Sequence, residues 1–119
     1  MIHEEKKVAK IIEELTMFFF SLGADEIETK IKREGKVDYI WFSSNYDSEY
    51  KDELHYLEKY LKKEKNDGLE DMYWELVGSG DPGESSQLLF IGMMIDTVEI
   101  KISDSKVEVK MSKEIKEGY

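Results

Sequence analysis

The chain of 119 residues contains no cysteine, one proline and two histidines, and these scarcities exclude several kinds of site. Without cysteine there is no disulfide framework, no thiolate nucleophile and no cysteine-ligated metal. Of the two histidines, His55 lies near Asp52 and Glu58, a spacing that allows at most a weak surface metal site. A solvent-facing helical histidine is the favoured interpretation of His55.

Long apolar runs are also missing. No stretch of eighteen apolar residues occurs, so we expect no membrane span, and the charged N-terminus does not resemble a signal peptide. The excess of 27 acidic over 17 basic residues argues against binding to nucleic acid or to anionic membranes, and the lysines at 62, 63 and 65 are interpreted as a cluster at a helix C-terminus. We therefore expect a cytoplasmic protein.

The charge that is present is mainly negative. The formal net charge is −10, and residues 45–87 hold twelve acidic and five basic residues, or −7. We interpret this stretch as a solvated acidic surface that keeps the protein soluble. An apolar content of 40% and an aromatic content of 12% predict a single globular domain over residues 1–119, with a polar, frayed tail at 112–119.

The N-terminal third predicts a helix followed by two strands. A helix is expected over residues 3–22, because apolar residues recur with helical spacing and Gly23 stands at the position of a C-cap glycine; these apolar residues are Val8, Ile12, Leu15, Phe19 and Leu22. Three consecutive phenylalanines, residues 18–20, require burial on more than one side of this helix. Period-two alternation then predicts strands over residues 25–32 and 37–42, with a turn at 33–36 and a break at 43–45.

The rest of the chain predicts three more helices and a hairpin. A helix over residues 48–65 has Ser48 as its N-cap and a core stripe at Tyr50, Leu54, Leu57 and Leu61. A shorter helix follows at about 69–77, and then a glycine-rich loop. Residues 87–95 are apolar throughout and fit a strand or a helix; Ser85 or Ser86 as N-cap favours the helix. Strands are expected at 98–102 and 107–111.

The resulting order, α-β-β-α-α-loop-α-β-β, predicts an α+β fold. We expect a two-layer sandwich, in which helices cover one face of a mixed or antiparallel four-stranded sheet.

This order and several local stretches resemble the ATPase domains of sensor histidine kinases and anti-sigma-factor serine kinases, the GHKL or Bergerat fold. Residues 13–17 keep the glutamate of the family's first-helix motif, and residues 23–27 are similar to its exit into a strand. Residues 80–83 and 88–100 resemble the glycine box, its helix and the strand that follows. The resemblance implies a mixed sheet, with the two terminal hairpins joined in one layer.

Three departures from the family pattern argue against ATPase activity. The Mg²⁺-binding asparagine is replaced by Met17, whose thioether is a poor ligand for a hard cation. The adenine-binding aspartate is replaced by Ser43 and Ser44, and the glycine-rich lid by an acidic, helical segment at 50–77. The resemblance thus implies vestigial pocket positions and no bound cofactor, metal or catalytic residue; these positions are Glu13, Met17, Ser43, Ser44, Gly80 and Gly83.

Phe18 and Phe20, like Met17, would lie at the family's nucleotide cavity. They either fill that cavity as core or form an apolar surface for a partner. We therefore expect a non-catalytic regulatory or scaffold domain, derived from such an ATPase, which acts by contact with a protein partner or by self-association. One alternative is a divergent anti-sigma-type kinase that uses Glu13 with Asn45 or Asp47 as replacement ligands. The other is a small homo-oligomeric α+β protein without this ancestry.

Overall fold

The structure, a computed structural model, describes residues 2–62 and 83–115. These residues form an α+β fold, as the sequence predicts. The elements in chain order are α1 (Ile2–Ser21), β1 (Ile27–Glu34), β2 (Val37–Asn45), a 3-10 helix (Ser48–Glu53), α2 (Leu54–Leu61), α3 (Gly83–Met94), β3 (Thr97–Ile102) and β4 (Lys106–Glu114). The helix predicted at about 69–77 and the loop containing Gly80 lie outside the described residues.

Helix α1 ends at the glycine that the sequence singles out. Gly23 has a φ of 82°, a left-handed conformation that favours glycine. The Gly23 N–H donates to the carbonyl of Phe20, and the Ala24 N–H donates to the carbonyl of Phe19 at 3.0 Å. These two bonds are the Schellman arrangement, which satisfies carbonyls that a helix end would otherwise leave unpaired. The chain can therefore turn directly into β1.

The four strands form one antiparallel sheet in the order β1-β2-β4-β3. The mixed sheet that the family resemblance implies is therefore wrong. The short connection within each hairpin imposes antiparallel pairing of its two strands. In the β1–β2 turn, Gly35 adopts a φ of 58°, which suits a tight hairpin turn. The two hairpins do meet in one layer, because β2 pairs with β4, and β2 is central as its two apolar faces predict.

Strand β2 continues through residues 43–45, where the sequence predicts a break. Ser44 lies opposite Ile27 of β1 and Val107 of β4, so pairing on both sides carries the strand onward. The buried hydroxyl of Ser44 donates to the carbonyl of Asn45 at 2.8 Å, which removes the cost of burying it.

The frayed tail predicted from Ser112 is wrong for residues 112–114, which belong to β4. Ser112 lies between Tyr39 of β2 and Thr97 of β3. The next residue, Lys113, is buried and forms an ion pair with Glu4 of α1. A polar sequence continues as a strand here because its charged side chain has a partner across the core.

The helix predicted over residues 48–65 begins as a 3-10 helix. The side chain of Asp47, rather than that of Ser48, caps it by accepting from the N–H of Glu49 at 2.9 Å. Because a 3-10 turn holds 3.0 residues instead of 3.6, the predicted core stripe is out of phase at its first residue. Tyr50 is consequently 40% exposed, whereas Leu54, Leu57 and Leu61 are buried.

The apolar stretch at 87–95 is helical, and α3 already begins at Gly83, so Ser85 and Ser86 lie inside the helix rather than at its N-cap. Helix α3 packs against both α1 and α2. At Gly92 the approach to α2 is so close that a Cβ would lie 2.2 Å from the carbonyl oxygen of Tyr60. Only glycine permits this helix contact.

The helices and the sheet share one apolar core. Along β2, buried and half-buried residues alternate, and the buried face carries Ile40 and Phe42. The ring of Phe42 stacks on that of Phe19 of α1 at a centroid distance of 5.6 Å. Residues opposite Ile40 and Phe42 on neighbouring strands point to the same buried face, which for β1 means Ile31 and Thr29.

Candidate interaction surface

Two of the predicted pocket positions, Glu13 and Met17, lie on the exposed side of α1. The Glu13 carboxylate pairs with Lys10 at 2.9 Å, and its side chain is 59% exposed. Lys10 also reaches Glu14 at 2.9 Å. Met17 is 57% exposed. Glu13 is therefore part of a surface ion-pair cluster, and Met17 faces outward rather than into the core.

The serine positions lie on opposite faces of β2. Ser44 is on the buried face, and Ser43, its neighbour along the strand, is on the other. Gly83 is the first residue of α3, and Gly80 is outside the described residues. Ser43 and Ser44 both line a groove of about 290 Å³ at the end of β2, but Glu13 and Met17 do not. Within residues 2–62 and 83–115, the predicted pocket positions are therefore not all gathered around one cavity.

The two replacement ligands weighed for a divergent kinase have structural partners. The side-chain oxygen of Asn45 accepts from the N–H groups of Asp25 and Glu26 at 3.0 and 3.1 Å, and its amide donates to Asp25 at 2.6 Å. Asp47 caps the 3-10 helix. Asn45 therefore fixes the connection between α1 and β1 to the end of β2.

The two phenylalanines proposed as a partner surface differ in their burial. Phe18 is only 4% exposed, and its ring meets that of Phe19 edge-on at 5.2 Å, so it belongs to the core and not to a partner surface. Phe20 is 56% exposed. The physical reason is helical: two residues are a 200° rotation apart, so residues 18 and 20 cannot share a side of α1.

An apolar groove runs between α1 and the edge strand β1. It has a volume of about 590 Å³ and is lined by Val8, Ala9 and Ile12 of α1 and by Ile31 and Arg33 of β1, among others. Ile31 is 50% exposed although it points to the buried face of the sheet. It is exposed because β1 is an edge strand that α1 does not cover.

One exposed apolar residue of α1 lies near the helix side that lines this groove. Phe20 is eight residues from Ile12, a rotation of about 80°, whereas Met17 is about 140° from Ile12 and faces away from the groove. We define the open flank as Ala9, Ile12, Phe20 and Ile31. It contains two of the three most exposed large apolar side chains among the described residues.

Charged side chains mark one end of the open flank. The guanidinium of Arg33 donates to both oxygens of the buried Asp38, at 2.7 and 3.0 Å, and this pairing raises the pKa of Arg33. Glu5 lies 3.7 Å from the same guanidinium. Beneath them Glu4 is hydrogen-bonded to Lys113 and, at 3.3 Å, to Lys7. The N-terminal turn of α1 is therefore fastened to the sheet by ion pairs.

A second groove, of about 380 Å³, lies on the other face of the sheet around Trp41. The ammonium groups of Lys30 and Lys110 lie 5.3 and 6.0 Å from the Trp41 ring centroid, within cation–π range. Glu99 and Glu108 also line this groove. Charges of both signs therefore surround the ring, and the groove has no dominant sign of charge.

Other predictions about sites can be compared with the described residues. His55 is exposed, and its Nδ1 lies 2.6 Å from the carbonyl of Asp52. No cluster of three metal-binding side chains occurs within the described part of the chain. No helix there is both long enough and apolar enough to cross a membrane.

Two features of this surface have no clear signal in the sequence. The alternation in β1 suggests that Ile31 is half-buried, but its exposure depends on the strand's place at the sheet edge. The abundance of lysine and glutamate in β1 is the available signal, since edge strands often carry charge. The Glu4–Lys113 pair joins residues 109 positions apart, and no local pattern reports such a contact.

No family model, no curated protein and no solved structure matches this chain.

Proposed function

We propose that this protein is a non-catalytic regulatory or scaffold domain, a two-layer α+β sandwich that acts through protein–protein contact at its open flank. The supporting observation is the exposure of Ile31 in the groove between α1 and β1, and of Phe20 on the same helix, each side chain being at least half exposed. Large apolar side chains that adjoin one another at a surface are typical of interaction sites. They are otherwise costly, because they stay in contact with water.

The positions of the vestigial pocket residues favour this proposal over a kinase. Glu13, the one residue that the family pattern would make a general base, is paired with Lys10 on the outer side of α1. Asn45 is occupied by three hydrogen bonds to the preceding connection. A divergent kinase would need both groups to turn toward a nucleotide.

Descent from a GHKL ATPase stays a prediction. The joined N- and C-terminal hairpins favour it, whereas the antiparallel pairing of all four described strands counts against it. The function proposed here does not depend on that ancestry, because it rests on the open flank. A small homo-oligomeric protein without the ancestry would use the same surface.

The proposal is tested by the size of the native species in extracts of cells that produce the full chain at its natural level. We expect the wild-type chain to run as a species larger than its 14.0 kDa mass, and Phe20→Asp to return it to that mass. Ile102→Asp is the matched control, since Ile102 is 37% exposed at the opposite sheet edge. A wild-type species of 14.0 kDa would overturn the proposal.

Calorimetry addresses the non-catalytic part. We expect no binding of ATP or ADP in the presence of Mg²⁺. Micromolar affinity for either nucleotide would instead support the divergent kinase.

A further inference from the structure

Strand β1 is an edge strand with a regular pattern of charges. Among the strands that the structure describes it pairs with β2 alone, and its other side adjoins the groove beside α1. The residues on the face away from the core are Glu28, Lys30, Lys32 and Glu34. An exposed strand edge offers unpaired backbone groups that can pair with another strand. The charges then decide which strand and which register.

A second copy of the chain is the simplest candidate for such a strand, and symmetry restricts how it can pair. Opposed residues in antiparallel strands point to the same face of the sheet. A two-fold axis between two β1 strands must therefore pass through a residue that lies opposite its own counterpart. Within the strand this leaves four central registers, about residues 29, 30, 31 and 32.

Three of these registers bring like charges together. The register about Ile31 places Lys30 opposite Lys32 and Glu28 opposite Glu34. The registers about Lys30 and Lys32 place each lysine opposite its own counterpart. Like charges directly opposed across strands are destabilising. These three registers are disfavoured for that reason.

The register about Thr29 has no like-charge pair. It places Glu28 opposite Lys30 twice on the outer face of the sheet. On the face toward the core it places Ile27 opposite Ile31 twice. A threonine pair, opposite charges and an aliphatic pair are each favourable cross-strand combinations. The full set is Thr29 with Thr29, Glu28 with Lys30, Ile27 with Ile31, Glu26 with Lys32 and Asp25 with Arg33.

The other sheet edge shows that charge alone is not decisive. In β3, a two-fold register about Ile100 also pairs Glu99 with Lys101. However, Val98 and Ile100 are already half-buried, and Ile102 is only 37% exposed. The open flank, with its groove and its exposed Phe20, adjoins β1. Apolar surface that remains to be covered therefore selects β1 over β3.

We propose that a second copy of this chain binds along β1, antiparallel, with the two-fold axis at Thr29, and joins the two four-stranded sheets into one. This inference rests on the proposed function, since it names the partner of the open flank. A two-fold axis normal to the sheet puts both α1 helices on the same side of the joined sheet. Each open flank then faces the other, and the exposed Ile31 residues are covered by Ile27 of the partner copy.

Cysteine substitution tests the register directly, because the natural chain has no cysteine. In the Thr29→Cys dimer, the cysteines of the two copies lie directly opposite each other. Their Cα atoms are about 5.5 Å apart, a distance that allows a disulfide. In the Ile31→Cys dimer, the two cysteines are offset by four residues along the strands. Their Cα atoms are then about 13 Å apart, which is too far for a disulfide. We expect the purified Thr29→Cys protein to form a covalent dimer under mild oxidation, and Ile31→Cys and Ile100→Cys to remain uncrosslinked.

Cross-linking of Ile31→Cys but not Thr29→Cys would overturn the register, and cross-linking of Ile100→Cys alone would move the interface to β3. Either result overturns the proposal.

Charge reversal provides a test that does not depend on oxidation. Glu28→Lys and Lys30→Glu each turn two attractive pairs into repulsive ones, so we expect each to weaken dimerisation about tenfold. The double variant restores the opposite charges between positions 28 and 30 and should regain the wild-type dissociation constant. Because it also places opposite charges together in the register about Ile31, the Thr29→Cys cross-link decides between these two registers. Sedimentation velocity measures all four proteins, and thermal unfolding checks that each is folded.

Two outcomes separate this inference from the function on which it rests. A purified wild-type chain that sediments only at 14.0 kDa, while a larger Phe20-dependent species persists in extracts, would overturn the β1 dimer and leave the proposed function standing. Dimers that Glu28→Lys and Lys30→Glu leave unchanged would also overturn it. The loss of every larger species would overturn both.

Discussion

The flank formed by α2 and α3 buries its apolar side chains within the chain, whereas the open flank leaves its own in water. We call the α2–α3 contact the closed flank; it is formed by Leu57, Tyr60 and Leu61 of α2 and by Leu88, Ile91 and Gly92 of α3, all of them buried. At the open flank Phe20 and Ile31 are at least half exposed.

The difference shows which apolar surfaces find their contacts within the described part of one chain. At the closed flank two helices touch so closely that one position accepts only glycine, so each side already has its partner. At the open flank helix α1 leaves the edge of β1 uncovered. The same kinds of side chain therefore stabilise the fold at one flank and remain available for contact at the other.

The largest expected effect is an added methyl group at the closed flank. In Gly92→Ala the new Cβ would overlap the backbone of Tyr60, and backbone cannot rotate away as a side chain can. We expect the free energy of unfolding to fall by about 3 kcal/mol, the upper end of typical overpacking costs. Urea denaturation monitored by circular dichroism measures it.

The matched change at the open flank is Ala9→Leu. Ala9 is exposed and lines the groove, so the larger side chain has room, and we expect a change within about 0.5 kcal/mol. A loss as large as that of Gly92→Ala would mean that the groove is filled within the single chain.

The next effect concerns the anchor that holds α1 in place beside the open flank. Glu4→Gln keeps an acceptor but removes the charge that pairs with the buried Lys113. We expect a loss of about 2 kcal/mol in the free energy of unfolding, typical for a hydrogen bond to a charged group. Glu13→Gln is the control, because its pair with Lys10 is exposed and should contribute under about 1 kcal/mol. Equal losses would show that Glu4 is not specially placed.

A smaller effect compares the same substitution at both flanks. Ile91→Val removes one methylene from a fully buried site of α3, and we expect it to cost about 1 kcal/mol. Ile31→Val removes the same group from a half-exposed site and should cost less than about 0.5 kcal/mol in the monomer. Denaturation at protein concentrations below the dissociation constant of the dimer gives both values. If Ile31→Val costs the monomer as much as Ile91→Val, the flanks do not differ as described.

The sequence predicts the closed flank better than the open one. Helical spacing at Leu54, Leu57 and Leu61 correctly places these residues in the core, and the helix over residues 3–22 is confirmed with its cap at Gly23. These are local patterns, and side chains three or four positions apart meet whatever the rest of the chain does. The prediction that Tyr50 lies in the core is wrong because the helix is of the 3-10 type there, and residue spacing alone does not reveal the helix type.

The open flank depends on which strand lies at the edge of the sheet, and this is a non-local property. Alternation identifies β1 as a strand but does not say that one side of it stays unpaired. The exposure of Phe20 follows from the arc of α1 that the sheet covers, and the triple phenylalanine leaves open which ring is outermost. The burial of Lys113 required a glutamate 109 residues away. Short-range patterns contain none of these facts.

The smallest expected effect is the response of the two flanks to acid. The hydrogen bond from Lys113, which outweighs the effect of burial, lowers the pKa of Glu4 below its ordinary value of 4.5. Because the folded-state pKa is the lower one, the Glu4 carboxylate stabilises the fold above pH 4.5, and this contribution is lost as the pH falls through the folded-state pKa.

The difference in unfolding free energy between wild type and Glu4→Gln should therefore be constant near neutral pH and shrink below about pH 4.5. The difference between wild type and Gly92→Ala should not change over the same range, because overlap with a backbone carbonyl involves no titrating group. Parallel denaturation series of the three proteins measure both differences, and a Glu4→Gln difference that stays constant into acid would show that the anchor of α1 is not electrostatic.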